Sequence, residues 1–202
     1  MLDQEKHKGL IAHRNQLAFA FLELAGDRTF QKLPDEKKLA FIQGALEIGE
    51  GAAVWVMAEC GQDDPRRIAE HFGLKIFGED KGIGSQKMKR SEYRPDKSTI
   101  VIFRDTLERL MGKVASKDLS DRLLRFLVAH ELFHNLEKIK IGCVAERFQV
   151  TTWRFWRWEK KRSIPKLSDV AAQSFTQSLL SLDFSPLVFD YLTYILYADL
   201  KR

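Results

Sequence analysis

The stretch from Asp118 to about Lys138 constrains this chain more than any other. Leu119, Leu123, Leu127, His130 and His134 follow one another at steps of three or four residues, so on a helix they share a face. Ser116 or Asp118 can cap that helix. The face is apolar at first and then presents two imidazoles one turn apart. Two imidazoles and the carboxylate of Glu131 are costly to bury without partners. The fold must therefore bring something to that end of the helix that satisfies them.

The segment VAHELFHNLE places His130, Glu131 and His134 in the order H-E-x-x-H. Histidines at i and i+4 can bind one tetrahedral Zn²⁺ without bending the helix. Glu131 lies about 100° around the helix from His130. It points beside the ion, where it can hold and deprotonate a water whose pKa the metal lowers to about 7. The plain alternative is an amphipathic helix with incidental histidines. Five histidines among 202 residues make a chance match of this pattern rare. Zinc is the expected cofactor, although nitrogen and oxygen ligands also suit Mn²⁺ or Fe²⁺.

A catalytic zinc needs a third protein ligand and an open position. His134 is the last histidine, so a third imidazole downstream is excluded and a carboxylate must serve. Glu137 is too close along the same helix. Glu146, Glu159, Asp169, Asp183, Asp190 and Asp199 remain, and spacing alone does not choose among them.

The order of signals resembles the ImmA/IrrE-like metallo-endopeptidases over roughly Asp63 to Leu182. A short helix ending in glycine leads to a strand (DPRRIAEHFGLKIF). A hairpin region (YRPDKSTIVIF), the VAHELFH helix and the helix DVAAQSFTQSLL follow. In that alignment Ala172 and Phe175 fall at the family's Ala and Phe, and Leu179-Leu180 at its paired leucines. The resemblance implies Asp169 as the acidic metal ligand; should Asp169 not serve, Glu146 is the second choice. It also implies a zincin-like fold and a peptidase whose substrate is a protein, typically a helix-turn-helix transcriptional repressor. Two departures stand out: Phe133 where the family has Gly, and Asp169 where it has Glu. Asp is one methylene shorter, so its helix must come closer; Ala171 and Ala172 would permit that.

The rest of the chain sets the frame. Apolar residues at 45% suffice for a core, and charged residues at 30% give an ordinary balance. The length suits one domain, with residues 1–62 an N-terminal helical part and 63–202 the metallopeptidase-like core. Helices are expected over Arg14–Ala25, after Pro34, and over DDPRRIAEHFGL; EIGEG, with Gly49 and Gly51, should interrupt the second. LKIF, SEYR and STIVIF read as strands. Everything from Asp118 onward reads as helix. The expected fold class is α+β, mostly α, with about three strands in an antiparallel or mixed sheet packed on the H-E-x-x-H helix.

No N-terminal stretch reads as a signal peptide and no window approaches membrane-spanning length, so the expected compartment is the cytoplasm, with Cys60 and Cys143 reduced and structural. The net charge of +5 gathers partly in TTWRFWRWEKKR. Read as a helix, that stretch spreads its aromatics over several sides. It can stack on nucleic acid, lie at a membrane surface or wall the substrate cleft, and packing or a protein interface fits it better than nucleic acid. IAEHFGL resembles the start of a helix-turn-helix, but LKIF rather than a recognition helix follows, which argues against DNA reading. Tyr93, Tyr191 and Tyr194 are candidate oxyanion stabilisers. The alternative to a peptidase is a catalytically silent protein of the same fold that acts by binding a partner.

Overall fold

The computed structural model describes residues 15–83, 89–111 and 117–186. Helix α1 covers residues 15–24, followed by α2 (Arg28–Gln31), α3 (Asp35–Cys60) and α4 (Pro65–His71). Strands β1 (Lys75–Glu79), β2 (Ser91–Arg94) and β3 (Thr99–Phe103) come next, then α5 (Arg104–Met111) and α6 (Lys117–Leu136). A π-helical turn (Glu137–Ile141), α7 (Val144–Arg147), strands β4 (Val150–Phe155) and β5 (Trp158–Arg162), and α8 (Lys166–Leu179) complete the order. The fold is thus mostly helical with a small mixed sheet and a separate two-stranded one.

Local chemistry explains the boundaries. Asp64 accepts the backbone N–H of Arg66 at 3.0 Å, Pro65 opens α4, and Gly73 follows it at φ +72°. Such an N-cap is worth about 1 kcal/mol. The three-stranded sheet has the order β1-β3-β2, with β3 parallel to β1 and antiparallel to β2. All five residues of β3 are buried, which is why STIVIF is a continuous apolar run and not an alternating one. Strand β2 is an edge and lies beside α6.

The expected break at EIGEG does not occur: α3 runs unbroken through Gly49 and Gly51. Gly49 is a contact residue. A Cβ there would stand 2.1 Å from the carbonyl oxygen of Ala171 and 2.8 Å from the Phe175 nitrogen. Helices α3 and α8 therefore meet backbone to backbone. Ser174 Oγ donates to the Leu46 carbonyl across the same seam at 2.7 Å.

Helix α3 is also 26 residues long and apolar enough to cross a membrane by length and composition, contrary to the expectation that no segment is. Ile42, Ala45, Leu46, Ala53 and Val56 on it belong to the core that α8 and α6 share.

The expectation of helix throughout the C-terminal part fails at Val150–Arg162, which forms the β4–β5 hairpin. Thr, Trp and Phe favour a pleated strand. Trp156, at φ +50°, turns the chain back.

Candidate metal centre

Helix α6 is anchored by Leu123, Phe126, Leu127, Leu132 and Leu136, all in the core. The helix begins at Lys117, so Asp118 lies within it and is not its cap, while Ser116 and the side chain of Leu119 lie outside what is described. Phe133 is fully buried against Phe175 of α8, ring centroids 5.5 Å apart. Phe133 thus joins the two helices that carry the site.

On the remaining face, His130 Nε2 and His134 Nε2 stand 3.3 Å apart, and His134 Nε2 lies 3.6 Å from Asp169 Oδ1. One ligand atom from each of the three residues falls within 4.8 Å of the others. Ligand atoms about 2.0–2.1 Å from a tetrahedral ion are separated by about 3.3 Å. The His130–His134 and His134–Asp169 separations lie near that spacing and the third pair lies within 4.8 Å, so the three donors can converge on one divalent ion. Asp169 arrives from the first turn of α8. Glu146 is exposed on α7 and stands outside this group, as do Glu159, on the exposed strand β5, and Asp183; Asp190, Asp199, Tyr191 and Tyr194 lie outside the described residues.

Glu137 was not legible as a participant. It is no ligand, but its Oε2 sits 3.0 Å from His134 Nδ1. Its Oε1 accepts from the Val144 backbone N–H at 2.9 Å and from Ser168 Oγ at 2.8 Å. This carboxylate holds His134 in the tautomer that leaves Nε2 free for a metal, and ties α6 to α7 and to the turn bearing Asp169. The π-helical turn begins at Glu137 and closes with Gly142 N–H on the Glu137 carbonyl at 2.8 Å. The H-x-x-E spacing was the signal, since i and i+3 meet on a helix.

The two imidazoles differ electrostatically. Burial drives His130 well below its ordinary pKa, and the neighbouring His134 and Arg90 push the same way. Burial also acts against charge on His134, but the Glu137 hydrogen bond and the carboxylates of Glu131 and Asp169 outweigh it and leave its pKa raised. Three carboxylates around one imidazole make a site that attracts a cation. His130 Nδ1 is buried and makes no hydrogen bond among the described residues. Ligation through Nε2 would leave that N–H unsatisfied, which weakens the site relative to one with both imidazoles supported.

Glu131 is only 7% exposed. Its Oε1 accepts from Ser91 Oγ at 2.7 Å, and the Tyr93 backbone N–H also bonds to the carboxylate. Burial raises its pKa, with His134, Ser91, Tyr93 and Arg90 partly offsetting. That is the direction required of a carboxylate that takes and returns a proton near neutrality. Asn135 Nδ2 donates to the Tyr93 hydroxyl at 2.8 Å, leaving the phenol proton available.

A cleft of about 530 Å³ opens at His134, lined by Tyr93, Pro95, Glu137, Lys138, Gly142 and Cys143. Cys60 and Cys143 are both free thiols, and Cys143 is exposed at this cleft and so is not a buried structural thiol. No family model, curated protein or solved structure matches the chain.

Proposed function

We propose that this chain is a zinc-dependent endopeptidase of zincin-like architecture, acting in the cytoplasm. The observation that carries the reading is the convergence of His130, His134 and Asp169 from two helices, with buried Glu131 beside them. His130 and His134 would bind through Nε2 and Asp169 through a carboxylate oxygen. A divalent ion held there supplies Lewis acidity, which activates water and polarises a carbonyl. Glu131 accepts the proton of the attacking water and delivers it to the leaving amine nitrogen. Ser91 and the Tyr93 N–H keep its carboxylate fixed for both transfers. Tyr93 lines the cleft with a hydroxyl free to donate to the developing oxyanion. Strand β2 lies at the sheet edge beside α6, so an extended substrate segment would run along it. The resemblance to ImmA/IrrE-like peptidases points to a helix-turn-helix repressor as substrate.

The test is cleavage of a repressor panel by zinc-loaded protein. Glu131→Gln should retain zinc and lose cleavage by at least about a hundredfold. Equal activity in that variant would overturn the assignment of the base.

A second reading is a silent protein of this fold that binds a partner. The unsupported Nδ1 of His130 favours it. Near-stoichiometric zinc together with no turnover across the panel would favour that reading.

A further inference from the structure

The hairpin β4–β5 is unlike the rest of the molecule. Its strands pair with each other and with no other strand among the described residues. Trp153 is 54% exposed, Trp156 89% and Trp158 74%. Exposed tryptophans gathered on one hairpin need an explanation, because single exposed apolar residues are ordinary but a patch of them is not. The hairpin also holds the chain's charge. Arg154, Arg157, Lys160, Lys161 and Arg162 stand against Glu159 alone, so four of the net +5 charges fall within thirteen residues, and the remaining chain is nearly neutral.

Two of the three tryptophans lie at the tip and three of the cations toward the root, while Trp153 pairs with Lys160. Trp156 is at the turn and Trp158 opens β5; Lys160, Lys161 and Arg162 follow toward the root. At about 3.3 Å per residue, those three cations trail Trp158 by about 7–13 Å. An interfacial segment buries its apolar part about 5–10 Å below the headgroups. Rings at the tip would then reach the headgroup–acyl boundary while the cations sit at the phosphates. Arg157, beside Trp156, can extend its guanidinium back to the same level.

We propose that the β4–β5 hairpin docks the protein on a membrane surface rich in anionic lipid. This goes beyond the peptidase reading and stands without it. The occupant is a bilayer of acidic phospholipid: basic residues give the attraction and tryptophans the insertion. The hairpin's two ends run directly into α7 and α8, which carry Val144, Ser168 and Asp169, so a docked hairpin holds the candidate metal centre close to the lipid.

The test uses the full chain with vesicles of phosphatidylcholine alone, or mixed with phosphatidylserine in a roughly two-to-one ratio. Three of the four tryptophans are in the hairpin, so intrinsic emission reports on it directly. The expected result is co-sedimentation and a blue shift with the anionic vesicles, both lost in high salt. Lys160→Ala with Lys161→Ala should weaken binding about 25-fold, since each cation near such a surface is worth about fivefold. Trp156→Ala with Trp158→Ala should abolish most of the blue shift and weaken binding about tenfold. These side chains are exposed, and an unchanged thermal midpoint checks that the variants fold. No association of the wild-type chain at low salt would overturn the proposal. So would binding indifferent to both double variants, or a blue shift given by a single-stranded oligonucleotide and not by vesicles.

Discussion

Gly49→Ala and Gly51→Ala make the same chemical change two residues apart on one helix and should have opposite effects. Both residues lie inside α3. In a helix interior, Gly→Ala gains about 0.5–1 kcal/mol of stability through lower backbone entropy in the unfolded chain. At Gly51 nothing lies within 4 Å of the added methyl, so the full gain is expected. At Gly49 the methyl meets the Ala171 carbonyl oxygen at 2.1 Å, with Phe175 N and Ser174 Cβ each at 2.8 Å. Two of these are backbone atoms, so no rotamer change relieves the clash; α8 has to move by about 1 Å. Overpacking of this kind costs about 1–3 kcal/mol and outweighs the propensity gain.

A chain of 202 residues shifts its midpoint by about 2–4 °C per kcal/mol. Gly51→Ala should therefore melt about 1–4 °C higher and Gly49→Ala lower, by up to about 10 °C, in differential scanning calorimetry. Because α8 carries Asp169, Gly49→Ala should also lose zinc affinity while Gly51→Ala keeps it. If Gly49→Ala stabilises as much as Gly51→Ala, the close approach of α3 to α8 is wrong, and with it the placement of Asp169.

Further outcomes follow from individual contacts. Glu137→Gln should lower zinc affinity about 10–100-fold by removing the carboxylate that orients His134, as competition with a chelator can measure; Glu137→Ala should lose at least as much. Phe133→Ala should cost about 3–5 kcal/mol in urea unfolding, because it empties the packed space against Phe175. The Asp105 carboxylate accepts the backbone N–H groups of Gly82, Ile83 and Thr106. Desolvation opposes ionisation there, but those bonds outweigh it and hold its pKa below the ordinary value. Its contribution to stability is accordingly present above the unfolded-state carboxyl pKa of about 4 and is lost as pH falls through the lower folded value. Asp105→Asn should remove that acid dependence and speed amide exchange at Gly82 and Ile83.

What the sequence could reveal was decided by range. The H-E-x-x-H face is a local pattern: His130 and His134 meet because four residues make one turn, and no distant contact is needed to see it. The α4 boundaries were equally local, set by Asp64, Pro65 and Gly73. Gly49 misled because its reason lies in Ala171, over a hundred residues away. Read alone, a glycine pair suggests a break; read against α8, it marks contact. The tryptophan-rich stretch reads as helix only because its neighbours are helical. Its failure to form one apolar stripe was the sign of another period, and strand pairing satisfied it. Helix geometry keeps Glu137 from being a ligand, and its role beside His134 depends on Val144 and Ser168, which only folding brings near. The hold of Ser91 and Tyr93 on Glu131 was invisible for the same reason.

The central claim is that His130, His134 and Asp169 hold one divalent ion, and a direct measure is zinc bound per chain by equilibrium dialysis at neutral pH. The expected result is about one zinc per wild-type chain, falling to a small fraction in His134→Ala and weakened at least about tenfold in Asp169→Ala. Wild-type protein that takes up no zinc, manganese or iron, or that binds zinc equally well in both variants, would contradict it.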